Sequence, residues 1–312
     1  MTRLGLGTAP LAGLYRAVAE ADALPVIEGA WQSGIRFFDT APLYGHGLAE
    51  QRVGRVLRGK ARAEFVLATK VGRLLRADVP PEPGQSFRGV PPVNPKFDFS
   101  YDGVMRSVEE SRERLGIEQI DILHIHDPDD HYREALEGAF RALDELRRDG
   151  VISAVGAGMN QAEMLTRFAK EADFDCFLLA GRYTLLDQVA LKELLPTCVE
   201  RGVTIIAAGV FNSGILGDPK PGTHYNYQPA PPDLIERAQR IKAVCERHGV
   251  PLRAAAIQFP LGHPAVQTVV VGCRSHDQLE DSIRMFETEI PPAVWEELKA
   301  ERLLPEEAPT PA

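Results

Sequence analysis

The chain alternates short apolar runs with stretches of helical periodicity, and this alternation constrains its fold more than any other feature. Runs with the character of β-strands recur eight times. They span residues 3–8, 35–40, 64–70, 120–126, 151–157, 175–180, 203–208 and 266–272. Several of the intervening helical stretches end at a glycine, as helix C-termini often do. Parallel pairing of the strands follows, because each crossover between parallel neighbours needs its own helix.

Two architectures satisfy this alternation, an open doubly wound sheet and a closed (β/α)8 barrel. Eight units within 312 residues match the barrel. The first run is followed by Thr8-Ala9-Pro10, so its glycines Gly5 and Gly7 do not form the G-x-G-x-x-G motif of dinucleotide-binding open sheets. We therefore predict an α/β protein with one (β/α)8 TIM-barrel domain over residues 1–312.

Two connections are much longer than ordinary loops, at residues 71–100 and 210–232. Both are rich in Pro and Gly and follow the C-terminal ends of predicted strands, which in a barrel is the rim that carries the active site. The alternative is that both connections are disordered loops on the surface. We expect these loops to form the walls of a site through their aromatic side chains Phe87, Phe97, Phe99, Tyr225 and Tyr227. The terminal segment 303–312 is expected to be frayed.

Charge and composition limit the classes of partner. The chain has 35 basic and 44 acidic residues, a net charge of −9, which disfavours binding to nucleic acid or to anionic membranes. A small-molecule substrate is therefore expected. We find no membrane span or leader and expect a cytoplasmic protein. The four scattered cysteines fit reduced thiols, and a barrel of this size is expected to be a monomer or a weak homo-oligomer.

Polar residues stand at the ends of three predicted strands. Side chains alternate along a strand, so Asp39 shares a face with Ile35 and Phe37, and Lys70 and His126 end the inward faces of their own strands. The three groups should meet at the barrel mouth. Tyr44 follows in the loop "TAPLYGHG" and should hang over them.

This combination suits proton transfer coupled to the movement of electrons. A free tyrosine is a poor base near neutral pH, but a nearby ammonium favours its phenolate and lowers its pKa. Lys70 would supply the ammonium, Asp39 would hold the lysine, and His126 would donate a hydrogen bond to the reacting oxygen. No strong nucleophile is in view, so a nicotinamide cofactor is the natural electron partner.

Other types of site can be built from the same residues. A Schiff-base aldolase would use Lys70 as its nucleophile, but it would not need Asp39 and Tyr44. A non-catalytic nucleotide-binding regulatory subunit would not need the four groups together. A metal site can be imagined from His124, His126, Asp127, Asp129 and His131, but an acidic turn after a strand is ordinary, and we expect no metal.

Four motifs carry a family resemblance. The segments "FFDTAPLYG", "ATK", "IDILHIHDP" and "VVVGCRSHDQLEDSI" resemble the aldo-keto reductase superfamily of NAD(P)-dependent (β/α)8 barrels, over about 4–286. The resemblance implies that Asp39, Tyr44, Lys70 and His126 are the catalytic tetrad. The segments "FDFSYDGVMRSVEESRERLGIEQIDILHIHDPDD" and "LLAGRYTLLDQ" are similar to its sugar and pyridoxal dehydrogenases.

That branch implies oxidation of a sugar lactol to a lactone, as in an aldose 1-dehydrogenase. A pyridoxal 4-dehydrogenase and a general NADPH-dependent aldehyde or ketone reductase are the alternatives.

The resemblance also implies a set of cofactor contacts. These are Gly7, Thr8, Asp39, Asn160, Phe211, Asn212, Ser213, Gly214, Gly272, Cys273, Arg274, Gln278, Asp281 and Ser282. NADP-preferring relatives carry a lysine and an arginine where this chain has Gly272 and Gln278, so NAD is favoured over NADP, although Arg274 stands close by.

The chain departs from the family pattern around the nicotinamide. Gly158 and Met159 replace a Ser-Asn pair, and Asn160 is expected to serve instead. Ala208 and Ala180 replace a stacking tyrosine and a glutamine.

Overall fold

The computed structural model describes residues 1–226 and 228–311 of the chain. Within these residues it contains twelve β-strands. In chain order they are β1 Leu4–Gly7, β2 Phe37–Asp39, β3 Val66–Val71, β4 Arg73–Arg76, β5 Asn94–Phe97, β6 Ile122–His126, β7 Ala154–Met159, β8 Cys176–Ala180, β9 Thr204–Ala208, β10 His224–Tyr225, β11 Gln228–Pro229 and β12 Val266–Gly272.

Eleven α-helices lie in the same described ranges. They are α1 Glu20–Gln32, α2 Leu48–Leu57, α3 Tyr101–Leu115, α4 Tyr132–Glu134, α5 Arg141–Arg148, α6 Ala162–Glu171, α7 Leu194–Arg201, α8 Pro232–Arg247, α9 Leu252–Gln258, α10 His276–Glu287 and α11 Pro292–Ala300. A π-helical segment, Ala135–Phe140, joins α4 to α5.

Eight of the strands close into a barrel in the order β1, β12, β9, β8, β7, β6, β3, β2. Each of the eight apolar runs in the sequence overlaps one of these strands, so the predicted (β/α)8 barrel is confirmed. Parallel register places Gly7 beside Asp39 and Lys70 beside His124. Because neighbours in register point to the same side of a sheet, the polar ends of these strands meet at one rim.

The chain forms two compact units. The first comprises Met1–Met159, Glu171–Phe177 and Gly272–Leu279. The second comprises the remaining described residues. The expectation of a single domain over residues 1–312 stays a prediction.

The two long connections contain structure that the sequence pattern does not indicate. In 71–100, β4 and β5 form an antiparallel hairpin in which Arg73 pairs with Phe97. In 210–232, β10 and β11 form a second short hairpin. Backbone groups in such a hairpin bond to each other, so a segment rich in Pro and Gly still forms a defined wall. Tyr227, one of the expected aromatic wall residues, lies outside the described residues.

Residues 303–311 of the terminal segment are packed, so the expectation that 303–312 is frayed is wrong for these residues, and Ala312 lies outside the described residues. Leu303, Leu304 and Ala308 are buried, and the carbonyl of Leu303 accepts a hydrogen bond of 2.9 Å from Arg237 Nη2. Burial of these apolar groups and this bond to the backbone hold the segment down.

A buried carboxylate fixes the outer side of β3. Glu50 of α2 has no exposed side-chain surface. Its Oε1 accepts a hydrogen bond of 2.7 Å from Thr69 Oγ1, and its Oε2 accepts one of 2.6 Å from Arg114 Nε of α3. Thr69 precedes Lys70, so these bonds hold the outer face of the strand whose inner face carries the predicted catalytic lysine.

We expect Glu50→Ala to lower the free energy of unfolding by about 3 kcal/mol, because it leaves the charge of Arg114 without its buried partner. Urea denaturation followed by circular dichroism measures this loss. Glu64→Ala, at an exposed position, is the control and should change stability by less than about 0.5 kcal/mol. Equal effects of the two substitutions would contradict the role of Glu50.

Candidate active site

The four predicted catalytic residues all lie in the first unit, and the structure brings them together. Asp39 ends β2, Lys70 is the last residue but one of β3, and His126 ends β6. Tyr44 lies in the turn between β2 and α2. Three strand ends and one loop therefore deliver these groups to the same rim, as strand alternation predicts.

Lys70 and Asp39 form a buried ion pair. The Nζ atom of Lys70 donates hydrogen bonds of 2.6 and 2.8 Å to the two carboxylate oxygens of Asp39 and one of 2.9 Å to the carbonyl of Thr40. An ammonium has three N–H donors, and all three are used. Burial raises the pKa of the Asp39 carboxyl, and the ammonium of Lys70 opposes that rise.

Tyr44 is held over this pair by a tight turn. Gly45 has φ +60°, and a Cβ at this position would overlap the carbonyl oxygen of Ala12, so the turn requires glycine. The centroid of the Tyr44 ring lies 4.8 Å from Lys70 Nζ and 5.7 Å from the centroid of the His126 ring, which is perpendicular to it. The phenol therefore lies between an ammonium and an imidazole.

Phe87 is the expected wall residue that lies beside Tyr44, and the role of the aromatic residues as walls of a substrate site stays a prediction. It comes from the loop 71–100, is buried, and places its ring centroid 6.2 Å from that of Tyr44. Phe97 and Phe99 stack on each other, and both pack against the His131 ring in a tilted arrangement. Tyr225, in the second unit, donates a hydrogen bond of 2.9 Å to Asp187. Phe87 thus places one aromatic ring of the loop 71–100 beside the phenol.

His126 is a neutral imidazole. Burial, followed by the charges of Arg73 and Lys70, holds the pKa of His126 well below its usual range. At neutral pH the ring then carries one proton and can donate one hydrogen bond. In this state the ring adds no positive charge to the site.

A second histidine lies below the site. His124 is fully buried in register with Lys70, and burial holds its pKa well below the ordinary value. Its ring occupies the space left by Gly156, where a Cβ would overlap Nδ1. Neither ring nitrogen has a hydrogen-bond partner among the described residues.

Two charged residues of the site were not predicted from the sequence in this role. Arg73 donates a hydrogen bond of 3.1 Å from Nη2 to Asp127 Oδ2, and that oxygen lies 3.5 Å from His126 Nε2. Asp127 stands out in the sequence only as a conceivable metal ligand, and Arg73 does not stand out at all. Their positions in the sequence could have indicated that both lie near the site. One glycine separates Arg73 from the strand that carries Lys70, and Asp127 follows His126 directly.

The cofactor candidates in the first unit occupy two places. Thr8 is buried, and its Oγ1 donates a hydrogen bond of 3.0 Å to the carbonyl of Asp39, to which Gly7 pairs. Gly272, Cys273, Arg274 and Gln278 surround the start of α10, where the side-chain oxygen of Gln278 accepts a bond of 2.9 Å from the Arg274 amide. Cys273 is buried and Gly272 is exposed.

A cavity of about 480 Å³ lies beside this second place. Its lining includes Arg16, Asp22, Arg274, His276 and Gln278. Guanidinium groups bind phosphate and a carboxylate binds ribose hydroxyls, so this donor set fits the adenosine end of a dinucleotide.

The cofactor candidates in the second unit are Asn160, Phe211, Asn212, Ser213, Gly214, Asp281 and Ser282. Asn160 follows β7, and Asn212, Ser213 and Gly214 have successive positive φ angles. Both ends of the Asn212 side-chain amide are hydrogen-bonded, since Oδ1 accepts from Thr184 and Nδ2 donates to Gly181. Asp281 pairs with Arg253 and Arg284, and Ser282 is buried. Contact of these residues with a cofactor stays a prediction.

Residues 1–226 and 228–311 contain no group of three His, Cys, Asp or Glu side chains that could hold a metal ion. In the same part of the chain, no helix is long and apolar enough to cross a membrane. All four cysteines are buried and none forms a disulfide, as the expectation of reduced thiols requires. Burial raises the pKa of the Cys198 and Cys245 thiols to about 12, so neither is a reactive thiolate at neutral pH.

Two curated proteins are similar to this chain over nearly its whole length. Pyridoxal 4-dehydrogenase of Microbacterium luteolum is 45% identical over 97% of this chain and 95% of its own. D-threo-aldose 1-dehydrogenase of a Pseudomonas species is 45% identical over 97% and 94%. The solved holo structure of the aldo-keto reductase AKR11C1 of Bacillus halodurans has the same fold, with a TM-score of 0.73 and 24% identity over 94% of this chain and 91% of its own.

The Aldo/keto reductase family model matches residues 3–302. The family expectation is therefore confirmed over a longer range than the motifs covered. The chain is an oxidoreductase that interconverts CH–OH and C=O groups, and it belongs to the aldo/keto reductase family.

Proposed function

We propose that the protein is an NAD-dependent aldose 1-dehydrogenase that oxidises the anomeric hydroxyl of a sugar lactol to a lactone. The observation that carries the proposal is the phenol of Tyr44 beside a lysine whose three N–H groups are all committed, two to Asp39 and one to Thr40. The relative named for aldose 1-dehydrogenation, at 45% identity, supports the substrate class.

Tyr44 is the group that takes the proton. The fixed ammonium of Lys70 lies 4.8 Å from its ring, and a nearby positive charge favours loss of a phenolic proton. Asp39 holds the lysine in place through two hydrogen bonds. Oxidation removes a proton from the hydroxyl and a hydride from C1; the proton would go to the phenolate oxygen of Tyr44, and a bound nicotinamide would accept the hydride.

His126 orients the hydroxyl. Its neutral ring lies 5.7 Å from the ring of Tyr44 and perpendicular to it. A single N–H donated to the sugar oxygen fixes that oxygen against the phenol and lowers its electron density as the carbonyl forms. The aromatic wall at Phe87 excludes water from one side of the phenol.

A pyridoxal is the second candidate substrate. A relative with the same identity of 45% is named pyridoxal 4-dehydrogenase, and the ring of Phe87, 6.2 Å from that of Tyr44, offers an aromatic surface for a pyridine ring. A general NADPH-dependent aldehyde or ketone reductase is the third candidate, and it would use the same four residues in the reverse direction.

The proposal also extends to the cofactor, which we take to be NAD. Asp22 and Gln278 line the cavity together with Arg16 and Arg274. A carboxylate accepts hydrogen bonds from the two ribose hydroxyls of NAD, whereas it repels a 2′-phosphate. The guanidinium groups are then available to the pyrophosphate. A monomer or weak homo-oligomer and a cytoplasmic location also remain proposals.

Tyr44→Phe is expected to lower kcat for the best aldose by at least about 100-fold, because it removes the proton acceptor. Absorbance at 340 nm with NAD⁺ and a panel of aldoses and pyridoxal measures the rate. Tyr101→Phe is the control, since that hydroxyl donates to Glu145 on the outer helices. Reduction of NAD⁺ by a Tyr44→Phe variant at the wild-type rate would refute the assignment.

Asp22→Asn is expected to raise the ratio of kcat/KM for NADP⁺ to that for NAD⁺ by about fivefold, which equals about 1 kcal/mol of charge repulsion near the surface. Initial rates with each cofactor at saturating substrate give the ratio. Asp277→Asn, in the first turn of α10 but outside the cavity lining, is the control. A wild-type enzyme that prefers NADP⁺ would show instead that Arg16 and Arg274 bind a 2′-phosphate.

A further inference from the structure

Asp127 brings a negative charge next to the catalytic histidine. Its Oδ2 lies 3.5 Å from His126 Nε2 and accepts a hydrogen bond of 3.1 Å from Arg73 Nη2. The guanidinium carbon of Arg73 lies 4.5 Å from the centroid of the Phe97 ring. A cation on an aromatic face is stabilised there. Phe97 contacts Arg73, and Arg73 bonds to Asp127. This series of contacts ends at the imidazole of His126, which Asp127 faces.

The backbone at Asp127 is held in an uncommon conformation. Its φ is +41°, in the left-handed region that few residues other than glycine adopt. Its N–H donates a hydrogen bond of 3.0 Å to the carbonyl of Gly158 in β7. A strained residue of this kind persists where the surrounding structure holds it, and such residues concentrate at functional sites. Asn tolerates the same φ, so Asp127→Asn removes the charge and keeps the conformation.

The ring of His126 has two nitrogens in different surroundings. Nδ1 is buried without a hydrogen-bond partner among the described residues, whereas Nε2 faces the carboxylate. The other charged and titratable groups around the ring are Lys70 and Arg73, His124 on the same strand, and Tyr44. Burial and the two cations hold the pKa of His126 well below its usual range. The ring is therefore neutral, and its one N–H proton lies on Nδ1 in one tautomer and on Nε2 in the other.

A carboxylate near one nitrogen of a neutral imidazole favours the tautomer with the proton on that nitrogen. At 3.5 Å the oxygen is too far from Nε2 for a strong hydrogen bond. Its charge can therefore select the tautomer while leaving the N–H free to bond to a substrate oxygen.

We propose that Asp127 is a positioning residue that selects the Nε2–H tautomer of His126, and that Arg73 holds Asp127 in place for this role. The inference rests on the proposed function in that it takes Nε2–H as the donor to the reacting oxygen. It concerns the free enzyme, so the tautomer can be measured without turnover.

The experiment compares long-range ¹H–¹⁵N spectra of uniformly labelled wild type, Asp127→Asn and Asp130→Asn at neutral pH, with His126→Gln used to assign the ring. Asp130 is an exposed aspartate of the same loop and is the matched control. In the wild type and the control, Nε2 of His126 should carry the proton and Nδ1 should not. In Asp127→Asn the two nitrogen shifts should move toward each other, as a mixture of tautomers requires.

Kinetics supply the second readout. Asp127→Asn should lower kcat by about 10- to 100-fold, the loss typical when the group that orients a metal-ligating histidine is removed, with a smaller change in KM. Arg73→Gln should also lower kcat. Arg73→Lys keeps the positive charge and should retain part of the kcat that Arg73→Gln loses. Arg76→Gln, on the same strand as Arg73, removes an ion pair with Glu110 of α3 and should not change kcat.

An unchanged His126 spectrum in Asp127→Asn would overturn the proposal, and so would a kcat equal to that of Asp130→Asn. If Asp127→Asn does not fold, the Arg73 variants decide through the same spectra. If the wild type turns over no substrate, the proposed function fails, but the spectra still decide the role of Asp127.

Discussion

The buried ion pair between Lys70 and Asp39 is the interaction on which the rest of the site depends. Removing two charges from water costs several kcal/mol for each ion, and only close, well-directed contacts offset that cost. The pair meets this condition because the two residues stand on neighbouring parallel strands. A flexible loop could not hold an ammonium with 1% of its side chain exposed against both oxygens of a carboxylate.

The pair also bears on which group exchanges a proton in the proposed reaction. The three N–H groups of Lys70 are committed, and burial together with nearby cations keeps His124 and His126 neutral. Tyr44 is half-buried at the mouth and lies above the ammonium. In the proposed function this phenol is therefore the acid-base group, while the lysine supplies charge and His126 supplies orientation. The outer contacts at Glu50 and Thr69 fix β3 so that this division of roles is maintained.

Much of this arrangement can be predicted from the sequence. Alternation along β2, β3 and β6 is a local property, and in a closed barrel local alternation decides which side chains meet at the mouth. It therefore placed Asp39, Lys70 and His126 together, and the turn around Gly45 placed Tyr44. The hairpin of β4 and β5 could not be predicted, because its pairing joins Arg73 to Phe97 across a Pro- and Gly-rich loop whose composition indicates irregular backbone.

The same limit applies to Arg73, Asp127 and the terminal segment. The contact of Arg73 with Asp127 depends on the path of the 71–100 loop, and Leu303 and Leu304 are buried by tertiary packing. Neither this contact nor the burial of the two leucines can be predicted from local composition. The aspartate-rich turn after His126 has the chemistry of a metal ligand set, and only the geometry shows that its first carboxylate faces an arginine and an imidazole.

The most direct test of the proposed chemistry follows the hydrogen at C1. An aldose that reduces NAD⁺ is prepared with deuterium at C1 and incubated with the wild-type enzyme, and the mass of the isolated NADH is measured by mass spectrometry. Direct transfer to the nicotinamide predicts NADH that contains one deuterium, together with the lactone. NADH without deuterium, or a product other than the lactone, would contradict oxidation at the anomeric carbon.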